Sequence, residues 1–406
     1  MLTLRLAFRN ILRQKRRSLL TGLSMTGGYM LFVFSFSLLE GSYGNVIDMF
    51  TLDNTGHIQL HKDNYLDRPK IYKTLQDRDL IESTLEADAQ VKSFTPRVFS
   101  PALAYAADKT TPAQVIGIDP DKEPTVTRLR QKVSAGAYFD STPDADGYFK
   151  AMIGHGLAMS LKLSVGDEIV LISQGADGSI ANDIYKITAL IGNKTSFDRM
   201  AVYLPLNAAQ EFLSMGSDVH EYALLVTNKN RNERIADSLA RKLPDVTVSP
   251  WQMVESTFYR TMQSDKQGNY FMLALIVFIV FIGVLNTVLM SVLERTREFG
   301  VLRAIGSRPF QLVRLITLET FILGCMSVTA GLILVMPLIY WFTEVGLLIP
   351  EPIDMSGMEF QHMKGEFSIR VFLAPMLFIL TTAVLISIPP GLRAARILPR
   401  DAMGSH

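Results

Sequence analysis

Residues 267–293 read Q-G-N-Y-F-M-L-A-L-I-V-F-I-V-F-I-G-V-L-N-T-V-L-M-S-V-L, a run of 27 positions without a charge between Lys266 and Glu294. A helix needs roughly 20 apolar residues to cross a bilayer core, so this run reads as a membrane span. Three further runs share its character: 22 uncharged residues between Arg17 and Glu40, 24 between Glu319 and Glu344, and 22 between Arg370 and Arg393. Four transmembrane helices are expected, at 18–40, 269–293, 315–342 and 370–390. The first is diluted by Thr21, Gly22, Ser24, Thr26, Gly27 and Gly28, small residues that let helices approach closely. Its apolar run exceeds a signal-peptide core and no A-x-A-like site follows, so it reads as an uncleaved anchor. Pro389-Pro390 reads as the end of the fourth span.

Composition agrees. Of 406 residues, 48% are hydrophobic and only 19% charged, against about 25% charged in ordinary soluble domains. A net charge of +1 argues against a nucleic-acid partner. A single cysteine, Cys325, excludes an internal disulfide framework and a cysteine-rich metal site.

Short-loop arginines and lysines set the orientation. Residues 1–17 carry Arg5, Arg9, Arg13, Lys15, Arg16 and Arg17 without an acid, and residues 294–314 carry five Arg against two Glu. The tail 391–406 adds Arg393, Arg396 and Arg400, whereas residues 344–370 hold five acids and two bases. Both termini and the 294–314 segment are therefore expected in the cytoplasm, with 41–265 and the 344–369 loop outside. Within 1–17, Arg5, Arg9, Arg13 and Arg16 share one helical face and Leu4, Phe8, Ile11 and Leu12 another. This predicts an amphipathic helix on the inner membrane surface.

The long segment 41–265 has a mixed pattern. Residues 57–61 alternate like a strand, 77–89 read as a helix and 91–100 as a strand. The order recurs as strand 222–226, helix 232–243 and strand 246–248. Between them, 114–118, 169–173 and 183–192 read as strands and 156–163 as a helix. The expectation is an α+β extracytoplasmic domain. Two β-α-β halves, about 45–100 and 206–262, flank a β-rich insert, about 101–205.

No catalytic constellation stands out in this segment. His57 and His61 fall on one strand face without a third ligand and read as surface histidines. G-x-S-x-G is absent, as is the phosphate-binding G-x-x-x-x-G-K-[ST]. The chain reads as a non-enzyme with no catalytic, metal or nucleotide site of its own. ATP power would have to come from another polypeptide.

Residues 290–314, M-S-V-L-E-R-T-R-E-F-G-V-L-R-A-I-G-S-R-P-F-Q-L-V-R, carry the second span onward as a helix. Arg295 and Glu298 are spaced for an ion pair, and Gly306 with Pro309 three positions on marks a helix end. By pattern alone the segment is either a helix that docks on a partner or an ordinary basic loop. Glu319, one turn into the third span, reads as a structural carboxylate paired with Arg314 or the N-terminal arginines.

The stretch E-R-T-R-E-F-G-V-L-R-A-I-G at 294–306, directly after a span, resembles the signature of the MacB/FtsX-type ABC transporter permeases. The opening L-A-F-R-N-I-L-R-Q-K-R-R-S (6–18) is also similar to that family. So are V-I-G-I-D-P (115–120), I-G-H-G-L-A-M-S-L-K-L-S-V-G-D-E-I-V-L (153–171) and P-P-G-L-R-A-A-R-I-L-P-R-D-A-M (389–403). Within the family, G-H-I-Q (56–59) and G-I-D-P-D-K-E (117–123) most resemble the lipoprotein-releasing permeases LolC and LolE. The resemblance implies a bacterial inner-membrane subunit that works with a cytoplasmic ABC ATPase dimer and a second permease copy or paralogue. ATP and Mg would be bound by the ATPase and no cofactor by this chain. The implied function is extraction of lipoproteins from the membrane lipids and their transfer to a periplasmic carrier or adaptor. Other members imply MacB-like export with an adaptor, or an FtsX-like mechanical relay to a periplasmic hydrolase or sensor. The resemblance assigns ATPase coupling to Glu294, Arg295, Arg297, Glu298, Phe299, Leu302, Arg303 and Gly306, on a helix expected to run unbroken from Tyr270 to Leu302. A cargo cavity between the first and second spans of two permeases would use Leu31, Phe34, Leu38, Met262, Tyr270, Leu273 and Ile276.

Overall fold

The computed structural model describes residues 2–13, 15–355 and 358–396. In chain order the elements are α1 (Leu2–Arg13), α2 (Lys15–Phe50), β1 (Ile58–His61), α3 (Arg78–Glu86), β2 (Val91–Ala106), β3 (Lys109–Ile118) and α4 (Glu123–Val126). There follow β4 (Val133–Gly136), β5 (Lys150–Gly154), α5 (His155–Leu161), β6 (Glu168–Gln174), β7 (Ile180–Ile191), β8 (Ala201–Pro205), α6 (Leu206–Phe212), β9 (Glu221–Val226), α7 (Asn232–Lys242) and β10 (Thr247–Pro250). The chain closes with α8 (Trp251–Val254), α9 (Ser256–Glu294), α10 (Thr296–Ala304), α11 (Pro309–Glu344), β11 (Leu347–Met355), β12 (Met358–Met363) and α12 (Ile369–Ala395). These elements form two compact units, one of helices (Met1–Asn45, Met262–Leu348 and His362–His406) and one of mixed α and β (Val46–Thr261 with Ile349–Gln361).

Among the described residues, four helices are long and apolar enough to cross a membrane, over Ser18–Thr55, Ser256–Glu294, Pro309–Glu344 and Ile369–Ala395. They contain all four uncharged runs and extend beyond them, because helix geometry does not stop where charge begins. Some of the small residues of α2 serve close packing, whereas Ser24 and Gly27 are exposed. A Cβ on Gly28 would lie 2.6 Å from Val280 Cγ2, and one on Gly331 of α11 would lie 2.7 Å from Tyr29 Cδ1. Thr26 donates to the Ser327 carbonyl at 3.1 Å. One apolar cluster joins Met25 to Val284, Val288, Val292, Leu312, Ile316, Ala383 and Ile386. A second joins Tyr29, Val33, Phe36 and Leu39 to Leu273, Val328, Val335, Ile339 and Val371.

One sequence expectation changes at the fourth span. Pro389-Pro390 does not end the fourth span, since α12 runs through Pro375, Pro389 and Pro390 to Ala395. Each proline removes one N–H but its φ suits a helix, and packed neighbours and hydroxyls can take up the freed groups. The amphipathic helix is described over Leu2–Arg13, and among its described side chains Ala7 and Ile11 are buried while Phe8 is exposed. It packs as part of the bundle through these residues and Asn10. The side chains at 1–6, 12 and 17 and the tail residues 397–406 lie outside the described residues. The 344–369 loop carries the β11–β12 ribbon, which composition had not revealed.

In the α+β unit the expected strands and helices are present, and the two halves and the insert share one ten-stranded sheet in the order β10-β1-β9-β2-β3-β8-β5-β7-β4, with β6 joining β2 to β7. β2 is the hinge of this design. Its first half pairs with β9 from Val91 to Arg97, and its second half pairs with β3 from Arg97 to Ala106. β6 takes its other edge at Leu103–Tyr105. Strands β2, β3, β8, β5, β7 and β6 thereby pair in a closed ring, which leaves no open edge within it. α3 and α7 cover the β10-β1-β9-β2 part. Ile81, Leu85, Ile235 and Leu239 sit in one core with Ile58, Leu60, Tyr222 and Leu224.

The histidines are not on the surface. His57 is 8% exposed and His61 fully buried, because β1 lies between β9 and β10 and both its faces are covered. His57 Nδ1 accepts from the Val226 N–H at 3.2 Å, and His61 Nε2 lies 3.0 Å from Gln59 Oε1. Tyr65 stacks between His61 and His220 at 5.7 and 5.3 Å. Burial pushes His57 and His61 down to about 4. Beside them, Arg97 is buried between Glu123 (2.6 Å) and Glu221 (3.2 Å) and donates to the Asn54 carbonyl at 2.6 Å. Burial, with the Glu123 charge, raises Glu221 to about 7 even though Arg97 opposes it, since one guanidinium serves two carboxylates.

Candidate functional site

The segment after α9 is a short helix held by its root. The helix breaks at Arg295, whose φ of −100° and ψ of 16° separate α9 from α10. The unbroken rod expected from Tyr270 to Leu302 is therefore two pieces. Arg295 itself is 6% exposed. Its guanidinium binds Glu298 of α10 at 2.8 Å and Glu319 of α11 at 2.8 Å, and stacks over the Phe299 ring at 5.0 Å. Glu319 also accepts from the Asn10 amide of α1 at 2.5 Å. Arg13 reaches Glu298 at 3.7 Å. Among the described side chains Glu319 thus pairs with Arg295 and not with Arg314, Arg9, Arg13 or Arg16; those of Arg5 and Arg17 lie outside the described residues. An intramembrane carboxylate demands such a partner, but charge spacing alone could not choose among the arginines.

The residues assigned to coupling divide into two faces. Phe299 is fully buried, packed in the cluster of Val288, Val292, Leu312, Ile316 and Ala394. Arg295 is buried beside it, and Leu302 packs partly against the same cluster. Glu298 and Arg303 are half-buried, and Arg303 Nη1 bonds the Ser307 carbonyl at 3.3 Å. Glu294, Arg297 and Gly306 are exposed. Gly306 has φ +100° and ends the segment as expected, with Pro309 opening α11.

The exposed face also carries apolar side chains. Val301 is 50% exposed, Ile305 78% and Phe310 75%. Val301 and Ile305 sit one helical turn apart, a spacing visible in the sequence. What the sequence hides is that Phe299 and Leu302 point into the bundle, leaving the other face bare.

The predicted cargo residues differ in exposure within the single chain. Phe34 and Leu273 meet in the same apolar cluster, and Phe34 stacks on Phe342 at 5.1 Å. Met262 is buried and Leu38 half-buried, whereas Leu31 and Tyr270 are exposed. Ile276 lines an apolar crevice between α2, α9 and α12, with Met25, Gly28, Phe32, Val280 and Ile379. Among the spans α9 is the most apolar, with mean hydropathy 2.8, and the least covered, with 17% of its apolar window buried against 33–39% in the others. Among the described residues, no group of three or more His, Cys, Asp or Glu is placed to hold a metal ion.

Comparison with known families gives this arrangement its context. The profile of the MacB-like periplasmic core domain matches residues 18–242, and that of the FtsX-like permease C-terminal region matches residues 270–399. The chain belongs to the MacB/FtsX-type ABC transporter permeases. Among its relatives, the lipoprotein-releasing system transmembrane protein LolE of Haemophilus influenzae is 22% identical to this permease over 338 residues, 80% of each chain. LolC of Xylella fastidiosa is 23% identical over 328 residues, 78% of each. The macrolide export ATP-binding/permease protein MacB of Nitrobacter winogradskyi is 23% identical over 284 residues, which cover 67% of this permease and 41% of that protein.

Proposed function

We propose that this permease is moved by a separate cytoplasmic ABC ATPase that docks on the exposed face of α10, and that its work is to extract lipoproteins from a bacterial inner membrane. The observation that carries the docking reading is the set of bare apolar side chains of Val301 on α10, Ile305 at its C-terminal end and Phe310 at the start of α11, together with exposed Glu294 and Arg297, around a helix anchored by Arg295 and Phe299. Exposed apolar groups on a short, firmly rooted helix suit insertion into a partner groove. The arginine-rich composition of 294–314 supports a cytoplasmic position for this face and for both termini, which leaves the α+β unit periplasmic. ATP and Mg would be held by the ATPase.

Lipoprotein cargo is favoured because LolE and LolC align with this permease over about four fifths of both chains. Acyl chains hold to a bilayer by about 0.8 kcal/mol per buried CH2, so lifting a lipoprotein out needs coupled work. The boundary between the two units falls inside α2 and inside α9, both continuous there. Such stiff elements suit transmission of a mechanical stroke. The bare α9 and the crevice at Ile276 and Phe32 offer apolar surface for acyl chains or for a second permease subunit, and a periplasmic carrier would receive the cargo. Depletion of the protein in its host, followed by fractionation of inner and outer membranes, tests the cargo. Lipoproteins are expected to accumulate in the inner membrane. Normal sorting during depletion would reject lipoprotein release and favour export or mechanical relay.

A further inference from the structure

We infer that Glu319 is a positioning residue through which movement of α10 reaches α11 and α1. This rests on the reading of α10 as the ATPase-docking element. The backbone break at Arg295 means that α10 cannot act on α9 as the end of one rigid rod. The guanidinium at the break, 6% exposed, bonds Glu319 on α11, and Glu319 in turn holds Asn10 on α1. Arg13 on α1 also reaches α10 through Glu298. A shift of α10 that carries Arg295 with it must therefore drag Glu319 or break a charge-assisted bond in a poorly solvated site, where such bonds are strong. Three chain segments far apart in sequence meet at this one carboxylate. It touches no part of the exposed face, so its role is to pass motion on and not to bind the ATPase.

The test is hydrogen exchange of the full-length permease assembled with its ATPase, with and without ATP and Mg. In the wild type, nucleotide is expected to slow exchange in 296–306, where the ATPase docks, and to change exchange within 46–261. Glu319→Gln keeps the shape and the Asn10 contact but removes the charge. It is expected to retain the nucleotide response at 296–306 and the bound ATPase, while the response in 46–261 falls about tenfold, an ordinary size for a lost coupling. Glu319→Asp, which restores the charge on a shorter arm, should lie between. A full response in 46–261 with Glu319→Gln overturns the inference. So does loss of the 296–306 response together with the ATPase, which would make Glu319 a support of the docking helix alone. A wild type that responds at 296–306 but nowhere in 46–261 also overturns it. A wild type with no response at 296–306 instead overturns the docking reading itself.

Discussion

The division of the 295–310 segment into a buried and an exposed side makes a sharp prediction, because equal truncations on the two sides should do opposite things. Phe299 is fully buried among Val288, Val292, Leu312 and Ile316. Phe299→Ala removes its burial and leaves a cavity, a loss of about 3–5 kcal/mol. In a helical unit of this size that is a fall in melting temperature on the order of 6–20 °C. Ile305 and Phe310 are 78% and 75% exposed, so truncating them costs the isolated permease little. Burying each against a partner is worth about 1.5–3 kcal/mol. The double variant Ile305→Ala/Phe310→Ala should therefore weaken ATPase binding by about 3 kcal/mol or more, roughly a hundredfold or greater. The assays are thermal melting of the permease alone in detergent and titration of fluorescent ATPase onto it. The expected pattern is a stability loss without a specific binding loss for Phe299→Ala, and the reverse for the double variant. If the double variant binds as wild type, or if it melts as early as Phe299→Ala, the assignment of faces is wrong.

Three further outcomes follow from the α+β unit. Arg97→Met strands Glu123 and Glu221 without their guanidinium, and breaking a buried pair from one side costs about 3–5 kcal/mol, to be read by thermal melting at neutral pH. Glu221 is raised from 4.5 to about 7, so its contribution is full below about pH 4.5 and is lost as pH rises through 7; Glu221→Gln should stabilise the protein at pH 8 and give no advantage at pH 4.5. His61 is lowered from 6.5 to about 4, so its contribution is full above 6.5 and is lost as pH falls toward 4. Melting curves of His61→Gln should then show a smaller acid destabilisation than wild type, by about 3 kcal/mol.

The sequence carried the fold far because its strongest signals are local. Uncharged runs located all four spans, and alternation located β1, β2, β9 and the two helices α3 and α7 that cover them. The short strands β4, β5 and β8 escaped notice, since four or five residues give little periodicity and their place is set by partners in the closed ring. The same limit explains the histidines. Alternation places 57 and 61 on one face, but only pairing of β1 with both β9 and β10 decides that the face is buried. At the coupling segment, Gly306 and the Arg295–Glu298 pair were readable from spacing. The burial of Arg295 was not, because its second carboxylate lies 24 residues away on another helix. The residues proposed for cargo differ in burial for a related reason. Membership of a span is written in composition, whereas the direction each side chain faces is written in the neighbours.

The central claim is that a separate ABC ATPase docks on this permease. Its most direct test is affinity purification of the full-length protein from its host in mild detergent, followed by mass spectrometry and repeated with Ile305→Ala/Phe310→Ala. The account predicts recovery of an ABC ATPase with the wild type and its loss from the double variant, which should remain folded. Recovery of the permease without any ATPase, or with the same yield of ATPase from both proteins, would contradict it.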